Sequence, residues 1–257
     1  MRTVIFYFTG TGNSLMIAKS ISSQIQESKL IRISQFLDIS DEDDCLRVGL
    51  IFPVYYGGLP SLVRELLPAL KTFQDGYFFA VTTYASGPGR ALAQLRAELQ
   101  SIGLELSAGF SLRMPQNFIM SYDVPDDRKV TTIIDRMQER LPAIVETIIA
   151  MKLHRPESNF QSYSGQSQRY HDFITRVKKT DTSFWCDDRC TGCRICALIC
   201  PVQNVVLDNA RPQWLHNCEQ CLACLNWCPN GAIQCGNNTS EIGRYTNPMI
   251  TIDEMKL

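Results

Sequence analysis

Two cysteine runs dominate the chemistry this sequence can do. The first is Cys190-Thr-Gly-Cys193-Arg-Ile-Cys196-Ala-Leu-Ile-Cys200-Pro201, and the second is Cys218-Glu-Gln-Cys221-Leu-Ala-Cys224-Leu-Asn-Trp-Cys228-Pro229. Both read C-x2-C-x2-C-x3-C-P, the bacterial spacing for ligation of [4Fe–4S] clusters. Three thiolates two residues apart wrap three corners of one cube on a tight loop. A fourth at x3, followed by a proline, points away and reaches the neighbouring cube. The spacing therefore assigns Cys190, Cys193, Cys196 and Cys228 to one cluster, and Cys218, Cys221, Cys224 and Cys200 to the other. The second run follows about 28 residues after the first, and Val205-Val206 recurs as Ala232-Ile233, the mark of a duplicated half-site.

Three rival uses of these thiols fit less well. Disulfides need an oxidising compartment, and the start Met1-Arg2-Thr3, with only Val4 to Phe8 before a Gly-Thr-Gly break, is no export signal. Zinc ribbons use two C-x2-C pairs separated by a longer loop. Cys186-x3-Cys190-x2-Cys193 matches the cysteine spacing of radical S-adenosylmethionine enzymes, but the barrel that motif belongs on takes roughly 200 residues or more. Of the eleven cysteines, Cys45, Cys186 and Cys235 are left over and read as packing residues. His154, His171 and His216 show no ligand spacing.

A second chemical feature lies near the N-terminus. Thr9-Gly10-Thr11-Gly12-Asn13-Ser14 follows the β-branched and aromatic run Thr3 to Phe8 and precedes Leu15, Ala18, Ile21 and Ile25 at helical spacing. Strand, hydroxyl-and-glycine loop and helix together make a phosphate cradle, in which N–H groups and a helix N-terminus meet the anion. No Gly-Lys-Ser/Thr follows, and Leu15 sits where a dinucleotide fingerprint needs its third glycine. The loop suits one phosphate monoester, such as that of FMN; the plain alternative is a glycine-rich turn without a ligand.

The elements that must position this loop alternate. Strands are expected at Leu30 to Ile33, Arg47 to Phe52, Tyr77 to Tyr84 and Leu104 to Leu112. Helices are expected over about Ser61 to Leu70, Arg90 to Ile102 (closed by Gly103) and Asp127 to Met151. That alternation predicts a doubly wound, five-stranded parallel sheet with its ligand at the carboxyl ends of the strands. Two further loops leave those ends: Pro53-Val54-Tyr55-Tyr56-Gly57-Gly58, and Thr83-Tyr84-Ala85-Ser86-Gly87. Their tyrosines suit stacking on a flat ring and their glycines suit close backbone approach; strand-end packing is the alternative for any one of these tyrosines.

At 257 residues the chain accommodates one large domain and a small one. A net charge of −1 argues against nucleic acid as partner, and no apolar run reaches the length of a membrane span. A reducing cytoplasm is the expected location.

Residues 1 to about 150 resemble flavodoxins, with Thr9 to Ser14 matching their phosphate loop. Together with Cys190 to Pro229, the chain resembles the flavodoxin–ferredoxin fusion proteins of anaerobic bacteria and archaea. Met114-Pro-Gln-Asn-Phe-Ile119 and Gly243-Arg-Tyr-Thr-Asn-Pro248 are similar to segments of those fusions. The resemblance implies FMN in a flavodoxin-like domain (1–151) and two [4Fe–4S] clusters in a small α+β ferredoxin-like domain (184–257). Residues 152–183, rich in Lys and Arg with Ser, Gln and Tyr, are expected as a polar linker, either a solvated tether or a basic docking strip. The implied role is electron transfer between a two-electron flavin and one-electron clusters, with redox proteins as donor and acceptor and a homodimer open. The alternatives are a small-molecule reductase, for which Tyr84 or Tyr122 would supply the proton, and a redox or oxygen sensor.

Overall fold

The computed structural model describes residues 2–35, 45–158, 163–237 and 239–257. Cys45 opens a strand, but its side chain lies outside the described residues.

Five parallel strands form the central sheet: β1 (Arg2–Tyr7), β2 (Ser28–Arg32), β3 (Cys45–Pro53), β4 (Tyr77–Tyr84) and β5 (Leu106–Arg113), in the order β2-β1-β3-β4-β5. Along β1, Ile5 and Tyr7 face one core while Val4 and Phe6 face the other. A strand covered on both sides must be apolar at every position, hence the unbroken run that starts the chain. One face is covered by α1 (Asn13–Ser22) and α4 (Asp127–Ile149), the other by α2 (Ser61–Leu66) and α3 (Ala91–Ser101).

The helix expected to Leu70 ends as α-helix at Leu66 and continues as a 3-10 turn over Leu67–Phe73. Pro68 has no N–H to give, and its ring crowds the preceding turn. At its start α4 is capped by Asp126, whose carboxylate accepts from the Lys129 N–H at 2.8 Å. Beyond its end Met151 turns left-handed, at φ 48°.

Part of the stretch expected as a polar linker, residues 154–157, packs on the first half. His154 N–H donates to Ser107 O (2.9 Å) and Glu157 N–H to Gly109 O (3.2 Å), covering the open edge of β5. Within the same stretch α5 runs Tyr163–Arg176 and buries Phe173.

The second half holds two small antiparallel pairs, β6 (Phe184–Cys186) with β9 (Ile233–Cys235), and β7 (Val205–Asp208) with β8 (Arg211–Trp214). Two one-turn helices, α6 (Ile195–Leu198) and α7 (Ala223–Asn226), start inside the two cysteine runs, and α8 (Ile252–Met255) closes the chain. Ile199, Ala223, Trp227, Tyr245 and Ile250 join the same buried cluster as α1 and α4, so the two halves share a core. Among the described residues no helix is long and apolar enough to cross a membrane.

Candidate functional site

The β1–α1 loop sits beside the point where the strand order reverses, between β1 and β3. Gly12 caps α1 at φ 94° and supplies no side chain to the helix start. The first amides of α1 are therefore free of a side-chain cap and available to an anion. Within the loop, Gly12 N–H donates to Thr9 Oγ1 (3.1 Å), and Ser14 Oγ shares a hydrogen bond with Thr83 Oγ1 (2.9 Å), tying the loop to the end of β4.

A cavity of about 760 Å³ opens over this loop, within the usual size of a small-molecule pocket. Thr9, Gly10, Thr11, Asn13 and Ser14 line it, with Pro53, Val54, Tyr55, Tyr56 and Gly57 from the second loop and Thr83, Tyr84, Ala85, Ser86 and Gly87 from the third. Two residues expected there lie elsewhere. A Cβ on Gly12 would meet Asn247 and Ile250, and one on Gly58 would strike the Tyr170 ring. Both glycines make room for protein on the far side of their loops.

The second loop is a tight turn: Tyr55 and Gly58 exchange N–H···O bonds of 3.0 and 2.9 Å, and Tyr56 and Gly57 both take positive φ. That turn holds Tyr56 stacked on Phe173 at 4.7 Å between centroids, with Tyr55 edge-on to Phe8 and Phe173. Burial first, then the Cys221 thiol and Glu219, hold the Tyr55 hydroxyl well above the usual phenol range, so it stays neutral. Tyr122 also reaches the cavity.

The second half of the chain contributes to this wall too. Gln220, Cys221 and Leu222, inside the second cysteine run, line the same cavity as the phosphate loop. The approach is close: a Cβ on Gly10 would lie 2.1 Å from Cys221 O, so only glycine fits there. The buried Glu219 carboxylate anchors this run. It accepts from Ser61 Oγ (2.7 Å), Leu62 N–H (3.2 Å) and Lys178 Nζ (2.5 Å).

The eight run cysteines fall into two sets. Cys190, Cys193, Cys196 and Cys228 line one small cavity with Thr191, Gly192 and Ile233. Burial, then the thiols of Cys193, Cys228 and Cys190, push Cys196 up to about 12. In the second set, burial and then the neighbouring thiols Cys221, Cys218 and Cys200 raise Cys224. Cys218 is pushed up to about 11, by burial before its charged neighbours. Thiols crowded in this way resist ionising until a cation joins them, since thiolate is the ligating form.

Backbone amides already point at sulfur. Asn204 N–H donates to Cys200 Sγ (3.2 Å), Ala232 N–H to Cys228 Sγ (3.3 Å) and Gln220 N–H to Cys218 Sγ (3.2 Å). The sets are open. Among the described residues no three or more His, Cys, Asp or Glu side chains gather tightly enough to hold a single metal ion. The leftover Cys186 lies under Arg211 Nη1 (3.6 Å), and Cys235 against Ser183 Oγ (3.2 Å).

No family model matches the chain, and no curated protein sequence matches it. Solved structures resemble it over its N-terminal half. One is the two-electron reduced flavodoxin of Megasphaera elsdenii, at 15% identity over 43% of this chain and 85% of that one, TM-score 0.36. Another is the Fusobacterium nucleatum flavodoxin bound to flavin mononucleotide, at 15% identity over 58% and 99%, TM-score 0.39. The Trp repressor binding protein of Bacillus subtilis matches at 12% identity over 58% and 97%, TM-score 0.42. These likenesses are distant, and the strand order stands without them: β2-β1-β3-β4-β5, with helices on both faces, is a flavodoxin-like α/β arrangement.

Proposed function

We propose that the chain is an electron-transfer protein that holds FMN in residues 1–151 and two [4Fe–4S] clusters in residues 184–257, with 152–183 binding the two together. The observation that carries this reading is the shared wall. The cavity over the phosphate loop is closed on one side by Cys221 and its neighbours, so a flavin there would lie against a cluster ligand.

The residues present fit both groups. An uncapped helix start with Thr9, Thr11 and Ser14 around it suits a phosphate monoester, and Tyr55, Tyr56 and Tyr84 offer ring faces. Two runs of four thiols at the cubane spacing, each with amides aimed at sulfur, suit cubane clusters. When bound, FMN exchanges two electrons and each cluster one, which makes the chain a converter between two-electron and one-electron chemistry.

The protein's own part is spacing, shielding and access. Cys218 and Cys200 are buried, and Leu222 and Leu225 exclude water beside them. Cys193 is exposed, and Thr191, Arg194 and Pro229 around it are exposed too, which offers a redox partner a face to approach. A reducing cytoplasm suits the thiols.

Anaerobic reductive titration of the reconstituted full chain tests the reading. Uptake of about four electrons per chain is expected, two into flavin and one into each cluster. Uptake of two or fewer, or no flavin absorbance to bleach, would sink it.

A further inference from the structure

The phosphate loop is held by both halves of the chain. Gly10 O accepts from the indole N–H of Trp227 (3.1 Å), inside the second cysteine run. Thr11 O accepts from Asn247 N–H (2.8 Å), in the C-terminal tail. The side-chain oxygen of Asn13 accepts from Tyr245 OH (2.7 Å) and from Asn247 Nδ2 (3.1 Å). All of these side chains are buried.

The network closes on the cluster run. Tyr245 N–H donates to Asn226 Oδ1 (3.0 Å), and Asn226 Nδ2 donates to Leu222 O (3.0 Å). From the first half, Asn117 Nδ2 donates to Thr11 Oγ1 (2.7 Å) and Asn13 Nδ2 to Pro115 O (3.1 Å). The segments at Met114 and Gly243, which neither cofactor motif explains, thus meet at one loop.

The consequence is geometric. A trans peptide points its carbonyl and the following N–H in opposite directions. With Gly10 O turned to Trp227, the Thr11 N–H faces the other side of the loop, and Thr11 lines the cavity. Thr11 Oγ1 accepts from Asn117, and its O–H is a separate donor. Asn13, the first residue of α1, is clamped from behind by the tail.

We propose that Trp227, Tyr245 and Asn247 are positioning residues of the phosphate site, so that binding of a flavin phosphate and assembly of the second cluster are thermodynamically linked. This rests on the FMN and cluster reading above. Linkage is reciprocal: whatever assembly of that cluster adds to phosphate affinity, the phosphate adds to the cluster.

The test is fluorescence titration of the anaerobic full chain with FMN and, in parallel, with riboflavin, which has the same ring and no phosphate. Tyr245→Phe, which removes only the hydroxyl, is expected to keep its iron, to weaken FMN about fivefold and to leave riboflavin unchanged. The cluster-free chain is expected to lose more than about tenfold of its preference for FMN over riboflavin. Equal FMN affinity in wild type and Tyr245→Phe, or equal losses for both flavins, would overturn the linkage while leaving the FMN reading in place. A wild-type chain that takes up no FMN would remove that reading and the proposal with it.

Discussion

The two cysteine runs share a spacing and a backbone, and they differ in what they face. Arg194 and Leu222 occupy the same place in each run, after the second cysteine, and both are left-handed, at φ 66° and 56°. Each caps a one-turn helix, α6 or α7. Arg194 is exposed, whereas Leu222 is 3% exposed and lines the flavin-sized cavity. Thr191 is exposed where Glu219 is buried, and Leu198 is 43% exposed where Asn226 is buried. The two runs share their spacing, their left-handed residue and their one-turn helix. What differs are the residues between the ligands, which in the second run make contacts to the sheet domain: Glu219 to Ser61, Asn226 to Asn117 and Trp227 to Gly10. One run meets the outside and the other meets the cavity over the β1–α1 loop.

Breaking one ligand in each run should expose that difference most strongly. Cys224→Ser and Cys193→Ser are each expected to lose about four irons per chain, one cubane. Only Cys224→Ser should also lose FMN, because its run carries the clamp on the phosphate loop. Iron and flavin assays on both variants check this, and equal flavin retention would erase the distinction between the runs.

Next come the paired positions after the first cysteine. Glu219→Ala removes the partner of Ser61, Leu62 and Lys178 at once, and a cost of about 3 kcal/mol is expected in denaturant unfolding. Thr191→Ala on the exposed run should stay within about 0.5 kcal/mol. Comparable losses would mean that the inward run is not anchored as described.

A smaller effect is expected at Arg194. Arg194→Glu should slow oxidation of the reduced chain by ferricyanide about threefold at low salt, with the difference fading as salt is added. A salt-independent difference would argue against electrostatic access through this face.

The smallest effect concerns the tail. Lys19, then the Thr251 backbone, hold Glu254 at about 2, against an ordinary 4.5. A depressed carboxylate stabilises the fold above its unfolded value, and that contribution fades as pH falls from 4.5 towards 2. The pair is partly exposed, so Glu254→Gln should cost less than about 1 kcal/mol at neutral pH and nothing further at pH 2. Thermal melts across that range would show it.

Much of this arrangement was legible in the residues. The cysteine spacing groups the thiols by chain geometry, because a short loop leaves few ways to wrap a cube, and Cys190, Cys193, Cys196 and Cys228 line one small cavity in the fold. The alternating elements point to a doubly wound parallel sheet with its crevice at the carboxyl ends of the strands, and the strand order puts the switch point between β1 and β3. The interface was not legible. Trp227, Tyr245 and Asn247 meet Gly10, Thr11 and Asn13 across more than two hundred residues of chain, and no local period marks such a pair. Gly12 and Gly58 show the same limit at short range. A glycine signals that something comes close, but not from which side, and here protein comes close, away from the cavity. The 152–183 stretch looked like a tether because its composition is polar. Within it, His154 and Glu157 bond to the backbone of β5 and Phe173 is buried, contacts that a polar composition does not signal.

The most direct test of the account is cofactor content of the anaerobically purified, reconstituted chain: iron, acid-labile sulfide and released flavin, read with a visible spectrum. The account predicts about eight irons, about eight sulfides and one FMN per chain. Eight irons with no flavin, even after FMN is supplied, would contradict it, leaving a two-cluster protein whose Thr9 to Ser14 loop binds something else or nothing.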